Sequence, residues 1–83
     1  MKSYDDILQY LITQLAPLAA PGVRVEEDTD LVRTLGLDST TLINLLLEIE
    51  DTFDVAVPLN ALADVQTPGQ LASVIHDRLP EPG

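Results

Sequence analysis

The residues that most clearly suggest chemistry are an adjacent carboxylate and hydroxyl, Asp38 and Ser39, which stand at the head of a long apolar-periodic stretch. Both residue types commonly cap helix N-termini, where their oxygens accept hydrogen bonds from backbone N–H groups that have no helical partner. A serine there also projects its hydroxyl outward from a rigid element, and the helix dipole favours an attached anion. The pair therefore allows two interpretations, a plain helix cap or a tethering point for a negatively charged group.

Other chemistries fit the sequence poorly. A serine hydrolase needs a base beside its nucleophile, but the single histidine, His76, falls in a different helical segment as a surface residue, and there is no G-x-S-x-G elbow. A calcium loop starting at Asp28 would have Val32 as its fifth residue and Arg33 in place of the required glycine. The chain has no cysteine, which excludes disulfides and thiolate zinc sites, so any thiol chemistry must be imported.

The charge balance also excludes classes of function. Fourteen Asp and Glu residues against four Lys and Arg residues give a formal net charge of −10. Binding to DNA or RNA needs clustered basic residues, whereas an acidic module attracts basic protein surfaces. The N-terminal residues are acidic where a signal peptide needs an apolar run, and no stretch approaches the ~18 apolar residues of a membrane span. We expect a cytoplasmic protein that binds neither nucleic acid nor membrane.

Helical periodicity dominates the chain, and no β-hairpin signal is present. With 83 residues we expect one domain, 1–83, in which residues 79–83 form a frayed tail. The third of four predicted helices is short, and a turn is expected at 30–35. The class is therefore all-α, with three main helices plus one short helix. The main helices are expected at about 3 to 16–18, 39–53 and 67–79, and the short helix at about 59–64.

Four short motifs occur in a specific order: Leu35-Gly36-Leu37-Asp38-Ser39, Glu-Ile-Glu-Asp-Thr-Phe at 48–53, Val57-Pro58, and Thr67-Pro68. This order and spacing resemble the acyl carrier protein family, collinearly over about residues 30–75. The resemblance implies a four-helix bundle of acyl-carrier type. It also implies that a phosphopantetheinyl transferase attaches 4′-phosphopantetheine from coenzyme A to Ser39, with Asp38 and Leu37 in the surrounding motif. The chain would then be a non-catalytic, freestanding carrier of acyl intermediates in polyketide, hybrid or fatty-acid-like biosynthesis.

The same resemblance indicates two further sets of residues. One face of the second helix would meet basic patches on the transferase and on a ketosynthase, acyltransferase or adenylating enzyme, with the chain acting as a monomer. The residues of this partner-binding face are Thr40, Asn44, Leu47, Glu48, Glu50 and Asp51. An acyl pocket would be lined by residues that ordinary core packing also explains, namely Leu31, Leu35, Leu42, Leu46, Val57 and Leu62.

Two alternatives stay open at the level of sequence. A peptidyl carrier, loaded with an amino acid by an adenylating enzyme, would use Ser39 in the same way. The acidic charge favours the acyl carrier, but two departures from the usual motif keep the peptidyl carrier open: Thr40, where an apolar residue is common, and Asn44, where an acid is common. From another class, an unmodified acidic helical adaptor would use Ser39 only as a cap.

Overall fold

The computed structural model describes residues 3–79, and all regular secondary structure in that range is helical. Three α-helices, α1 (Tyr4–Leu15), α2 (Ser39–Phe53) and α3 (Pro68–Arg78), are joined by two connections, and each connection contains a 3₁₀ turn. These turns span Ala16–Leu18 and Leu59–Leu62. The predicted all-α class is confirmed, and α2 has the predicted bounds.

Side-chain caps fix where α1 and α3 begin. Ser3 accepts a hydrogen bond from the Asp6 backbone N–H, and the Asp6 carboxylate accepts one from the Ser3 backbone N–H. Thr67 and Gln70 form the same reciprocal box at α3, with Pro68 at the first helical position. Each box satisfies two backbone donors that the helix cannot pair, so both starts are defined by local sequence.

The short predicted helix at 59–64 is smaller than expected. The Ala61 N–H donates to the Pro58 carbonyl and the Ala63 N–H to the Asn60 carbonyl, three residues back in each case. Such i→i+3 bonding rarely continues beyond one turn, because its geometry is poorer than that of an α-helix. The third of the four predicted helices is therefore the 3₁₀ turn Leu59–Leu62.

A single apolar core joins the three helices and both connections. The most extensive packing between helices is that of α1 against α3, and the small side chain of Ala72 on α3 is fully buried. Tyr10 links α1 to α2, with its ring edge-on to Phe53 at 5.1 Å and its hydroxyl 3.3 Å from Thr52 Oγ1. The largest fully buried side chains come from all parts of this core: Ile7, Leu11, Leu15, Leu31, Ile49, Pro68 and Ile75.

The connection before α2 folds back on itself. We call residues 26–37 the strap. Its turn is closed by hydrogen bonds from the Thr34 N–H to the Asp30 carbonyl (3.0 Å) and from the Gly36 N–H to the Val32 carbonyl (2.9 Å), as predicted for 30–35. Gly36 adopts a φ of +66°, a conformation that costs side-chain-bearing residues about 1–2 kcal/mol. The strap thus delivers the chain to the start of α2 in a defined position.

The C-terminal end of the described region lies against the bundle. Leu79, the first residue of the expected frayed tail, ends α3 and is half-buried against the core, whereas the rest of that tail, 80–83, lies outside the described residues. His76 is exposed on α3, as expected for a surface residue. Within residues 3–79, no helix is long and apolar enough to cross a membrane.

Candidate functional site

The capping role at the start of α2 belongs to Asp38. Its backbone is extended (φ −100°, ψ 175°), and its Oδ1 accepts a hydrogen bond from the Thr41 backbone N–H at 2.8 Å. That backbone bond, followed by interaction with the Thr41 hydroxyl, holds the pKa of Asp38 below its ordinary value. Because Asp38 satisfies the free N–H group, the next residue is not needed as a cap.

Ser39 is the first residue of α2 and is exposed. Within the described part of the chain, no side chain or backbone group hydrogen-bonds to its hydroxyl. The helix dipole at this position favours a negative charge by about 0.3–1 kcal/mol at an exposed site. An exposed, uncommitted hydroxyl at a helix N-terminus fits a phosphodiester-linked group. Leu37, 7% exposed, anchors the approach to this site in the core.

The predicted partner-binding face follows the exposed side of α2. Most of its residues are exposed, and Leu47 stands out with 58% of its surface accessible, an unusual state for a large apolar side chain. Glu50, the remaining predicted member of this face, is half-buried. The exposed members are Thr40, Asn44, Leu47, Glu48 and Asp51.

Ile43 is an exposed apolar residue of α2 that was not included in the predicted partner-binding face. It is 37% exposed and lies one turn from Ser39 and one turn from Leu47, since residues four apart share a helix face. The buried side of α2 is centred on Leu46 and Ile49, so Ile43 falls at its margin. Ile43 follows Ser39 by four residues, and this spacing could have indicated that the two share a helix face.

The charges of α2 are unevenly distributed along its axis. No charged residue occurs between Ser39 and Leu47, and the acids begin at Glu48, about 13 Å along the helix from Ser39. The helix then ends at Asp54, which adopts a left-handed conformation (φ 55°) as the C-cap. The exposed face is thus neutral near Ser39 and acidic farther away.

The six residues of the expected acyl pocket all belong to the packed core. Leu31, Leu46 and Val57 are at most 5% exposed, whereas Leu35, Leu42 and Leu62 are half-buried against the core. An open groove of about 740 Å³ lies elsewhere, between α1 and residues 22–27. None of the six residues lines it.

The comparisons with known proteins all indicate the same family. Residues 7–75 match the family model described as the phosphopantetheine attachment site. The chain is 44% identical over 56 residues to the "Probable acyl carrier protein" of Caulobacter vibrioides, a match that covers 68% of this chain and 65% of that protein, just under two thirds of its length. It is 33% identical over 64 residues to the acyl carrier protein of Amoebophilus asiaticus, covering 77% and 80%.

Two further matches bear on pathway and fold. The anthracycline acyl carrier protein DpsG of Streptomyces peucetius is 35% identical over 54 residues, covering 65% of this chain and 64% of that protein. The crystal structure of a Toxoplasma-specific mitochondrial acyl carrier protein superposes with a TM-score of 0.80 at 21% identity, covering 98% of this chain and 96% of the other. At that identity the structural likeness establishes the fold.

Proposed function

Since the chain belongs to the acyl carrier protein family, we propose that it carries acyl intermediates as thioesters on a 4′-phosphopantetheine arm attached to Ser39. The observation that carries this proposal is the separation of two roles at the start of α2: Asp38 caps the helix, and the Ser39 hydroxyl is left exposed and uncommitted. In an ordinary cap the serine oxygen would itself accept the backbone hydrogen bond.

The attached group supplies the thiol that a chain without cysteine lacks. The contribution of the protein is positional. The start of α2 is held in place on both sides, because Leu37 is buried two residues before Ser39 and Leu45 and Leu46 are buried about two turns into the helix. A tether raises the effective concentration of its cargo at a partner's active site, so the carrier delivers and orients while the partner performs the chemistry.

The partners in this proposal are a phosphopantetheinyl transferase and the enzymes of a polyketide or fatty-acid-like pathway, such as a ketosynthase and an acyltransferase. The similarity to an anthracycline carrier supports the polyketide branch. The exposed acids Glu48 and Asp51 support docking to basic surfaces, and Leu47 supplies apolar contact between them and Ser39. Opposite charge at such a surface speeds encounter more than it tightens binding.

The attachment point is tested by peptide mapping. After incubation with coenzyme A, magnesium and a broad-specificity transferase, the protein is digested and its peptides are weighed. We expect the added mass only on the peptide that contains Ser39. Ser73, an exposed serine on α3, is the internal control because it shares accessibility but not the helix-start position. Added mass on another peptide would overturn the assignment of Ser39.

A peptidyl carrier is the second candidate, and the neutral half of α2 favours it. Thr40 and Asn44 are both exposed beside Ser39, at positions where an acyl carrier commonly has an apolar residue and an acid. The modified protein can be offered malonyl, acetyl and aminoacyl donors together with their loading enzymes. Thioester formation with the acyl donors supports the acyl carrier, and loading by adenylating enzymes alone would favour the peptidyl carrier.

A further inference from the structure

The longest uncharged part of the sequence begins on α1 and continues through the turn that follows it. Residues 7–23 contain no Asp, Glu, Lys, Arg or His, although Asp, Glu, Lys and Arg make up 22% of the chain. Part of this segment is exposed, including Ala16, Pro17 and Leu18, the last of which is 44% exposed. Covering an uncharged surface avoids the cost of removing charges from water, so this is the part of the molecule that a partner can bury most easily.

The open groove of about 740 Å³ between α1 and residues 22–27 lies along this segment, and we call it the α1 groove. On its α1 side, Leu8, Ile12 and Ala16 follow one another at intervals of four residues, so they form a single ridge on the helix surface. Leu8 is buried, Ile12 is half-buried and Ala16 is exposed. Val23 contributes a half-buried apolar side chain to the opposite wall. The ridge is thus covered at one end and open at the other.

The wall opposite α1 is held in place at both ends. At one end, the Glu27 carboxylate accepts a hydrogen bond from the Tyr4 hydroxyl, and the Glu27 carbonyl accepts one from the Gly69 N–H at 2.9 Å. At the other end, the Val23 N–H donates to the carbonyl three residues before it at 3.0 Å. Between them, Val25 is 7% exposed and packs into the core. A groove whose walls are already fixed need not be ordered when an occupant binds, which favours affinity.

The charges of the α1 groove are few and occur in a fixed order. Arg24 is exposed on its wall, and among the described residues no side chain pairs with the Arg24 guanidinium. Glu26 is exposed as well, whereas the Glu27 carboxylate is already engaged. Residues 22–27 run from the C-terminal end of α1 back towards its first turn, so Arg24 lies nearer the C-terminal end of α1 than Glu26 does. An occupant therefore meets one positive and one negative charge in a defined direction.

We propose that the α1 groove is a docking site for an amphipathic α-helix of a partner protein, which packs an apolar ridge against α1 and places an acid opposite Arg24 and a base opposite Glu26. Ridges with a spacing of four residues pack against one another in the commonest class of helix contact, and helices that dock in grooves use apolar anchors with the same spacing. From Leu8 to Ala16 the ridge is about 12 Å long, which corresponds to about two turns of the occupant. The order of the charges selects against a helix in which acid and base are exchanged.

The α1 groove and α2 lie on different sides of α1. Tyr10 faces α2, since its ring contacts Phe53 and its hydroxyl lies 3.3 Å from Thr52 Oγ1. Ile12 follows Tyr10 by two residues, which places it about 160° away around the helix. No residue of α2 lines the groove. If the proposed carrier function holds, on which this step rests, a partner bound in the groove leaves Ser39 and the exposed face of α2 open to a second enzyme.

The docking site is tested with the unmodified protein and two synthetic helical peptides that share one apolar ridge. The matched peptide carries a glutamate and a lysine where they meet Arg24 and Glu26, and in the second peptide these two residues are exchanged. Backbone amide chemical shifts are followed by NMR during each titration. We expect the largest shifts in the groove, at Ile12 and Val23, and a dissociation constant at least about threefold lower for the matched peptide. Equal affinities, or shifts confined to Ile43 and Leu47 of α2, would overturn the proposal.

Arg24→Glu is the variant that tests the order of the charges. It should abolish or reverse the preference for the matched peptide, because the glutamate of that peptide would then meet a like charge. Arg78→Glu is the matched control, since Arg78 is an exposed base on α3 that does not line the groove. The control should retain the preference of the parent. The same preference in both variants would contradict the role of Arg24.

Ala16→Arg tests the apolar ridge. Ala16 is exposed at the open end of the ridge, so a long charged side chain there should block the groove and weaken both peptides about tenfold without unfolding the protein. Helical circular dichroism verifies the fold. Binding of both peptides as tight as to the parent would overturn the groove as the docking site, and Arg24→Glu with its control decides the question if the variant does not fold.

A second copy of this chain is the other possible occupant, although each copy brings a net charge of −10. Analytical ultracentrifugation of the protein alone, over a range of concentrations, should show a monomer. A dimer whose concentration-dependent chemical shifts map to Ile12 and Val23 would identify the second copy as the occupant and overturn the assignment to a partner helix.

The separation of the groove from α2 is tested by the rate at which a phosphopantetheinyl transferase modifies the protein. Saturation with the matched peptide should leave this rate unchanged, because the peptide and the transferase would occupy different sides of α1. Strong inhibition by the bound peptide would overturn simultaneous occupancy. A parent that gains no pantetheine without peptide would contradict the carrier function, while the groove would still be judged by peptide binding to the unmodified protein.

Discussion

At the residue scale, Asp38 caps the start of α2, while its neighbour Ser39 is exposed. Because Asp38 retains its hydrogen bond to the Thr41 N–H, Ser39→Ala should change the free energy of unfolding by only about 0.5 kcal/mol, as surface substitutions usually do. The same change should abolish modification by the transferase. Thermal unfolding and intact mass measure the two effects, and Ser73→Ala is the control that should retain modification. A Ser39→Ala protein that unfolds would show that Ser39 is a structural residue.

The lowered pKa of Asp38 makes a prediction about acid stability. A carboxylate whose pKa is lower in the folded protein than in the unfolded chain stabilises the fold above its unfolded pKa, about 3.9, and loses that contribution as the pH falls through the folded value. Asp38→Asn keeps a capping oxygen but removes the charge. Parent and variant should therefore differ most near neutral pH and converge in strongly acidic solution.

Urea unfolding at a series of pH values measures this difference. Comparing two proteins that differ at one residue cancels the titration of the other acids. If the gap between parent and Asp38→Asn stays constant or widens as the pH falls below about 3.9, the hydrogen bond from Thr41 does not favour the ionised form.

The sequence was sufficient to identify Asp38 and Ser39 as the residues at the head of α2, because capping is a local property of residue type and position. The sequence was not sufficient to show that Ile43 is exposed. An apolar residue at the margin of a helix's apolar face becomes buried or exposed according to how neighbouring segments pack, and that packing is set by contacts remote in sequence. The attachment role of Ser39 remains a prediction from the family motif.

At the scale of the element, the acidic half of α2 is expected to set the rate of partner encounter. Reversing two exposed acids with Glu48→Lys and Asp51→Lys should slow transferase modification several-fold at low salt. The effect should shrink at high salt, because exposed charges are screened within about 8 Å at physiological ionic strength. The measurement is the initial rate of modification across a salt series.

A matched control carries the same change in net charge on other elements. Asp64→Lys with Asp77→Lys alters two exposed acids, one in the connection before α3 and one on α3. This control should be modified at nearly the parent rate. Equal slowing of both double variants would mean that overall charge, and not the face of α2, governs the encounter.

The neutral half of α2 leads to a prediction about pathway. A general fatty-acid enzyme that expects an acid near Asn44 meets an amide, and loses an exposed ion pair worth roughly 0.2–1 kcal/mol. Arg33, exposed on the strap, adds a positive charge before the motif. We therefore expect a carrier dedicated to a specialised cluster, and Thr40→Leu with Asn44→Glu and Arg33→Glu should improve its use by general enzymes.

The comparison is turnover of loaded parent and triple variant by a general malonyl transferase and ketosynthase. We expect a rate increase for the variant that is largest at low salt. A parent that already matches a general fatty-acid carrier in this assay would contradict the specialised role and leave the carrier function in place.

The helical elements were largely predictable because their starts and stops are local. The capping boxes and the prolines mark α1 and α3, and Asp38 marks α2. The third helix was predicted too long, because short apolar segments do not reveal whether bonding is i→i+3 or i→i+4. The contacts among Tyr4, Glu27 and Gly69 could not be foreseen, since these residues are separated by 23 and 42 residues and no periodic pattern connects them.

At the scale of the whole molecule, several features support the proposed carrier function. The chain is small and acidic, with a net charge of −10, and it lacks a thiol of its own. Its three helices share one core, and the exposed serine stands at the start of the helix whose outer face is largely free of core contacts. A domain of this form offers little room for an enclosed substrate site, which is consistent with the proposal that it presents a tethered group to larger partners.

The central claim is that this domain accepts one phosphopantetheine group at Ser39, and intact mass spectrometry tests it directly. Parent protein and Ser39→Ala are incubated with coenzyme A, magnesium and a broad-specificity phosphopantetheinyl transferase, beside an established carrier that is fully converted under the same conditions. We predict that the parent gains the mass of a single phosphopantetheine group and that Ser39→Ala gains nothing. A parent of unchanged mass, or a Ser39→Ala protein that still gains the group, would contradict the account.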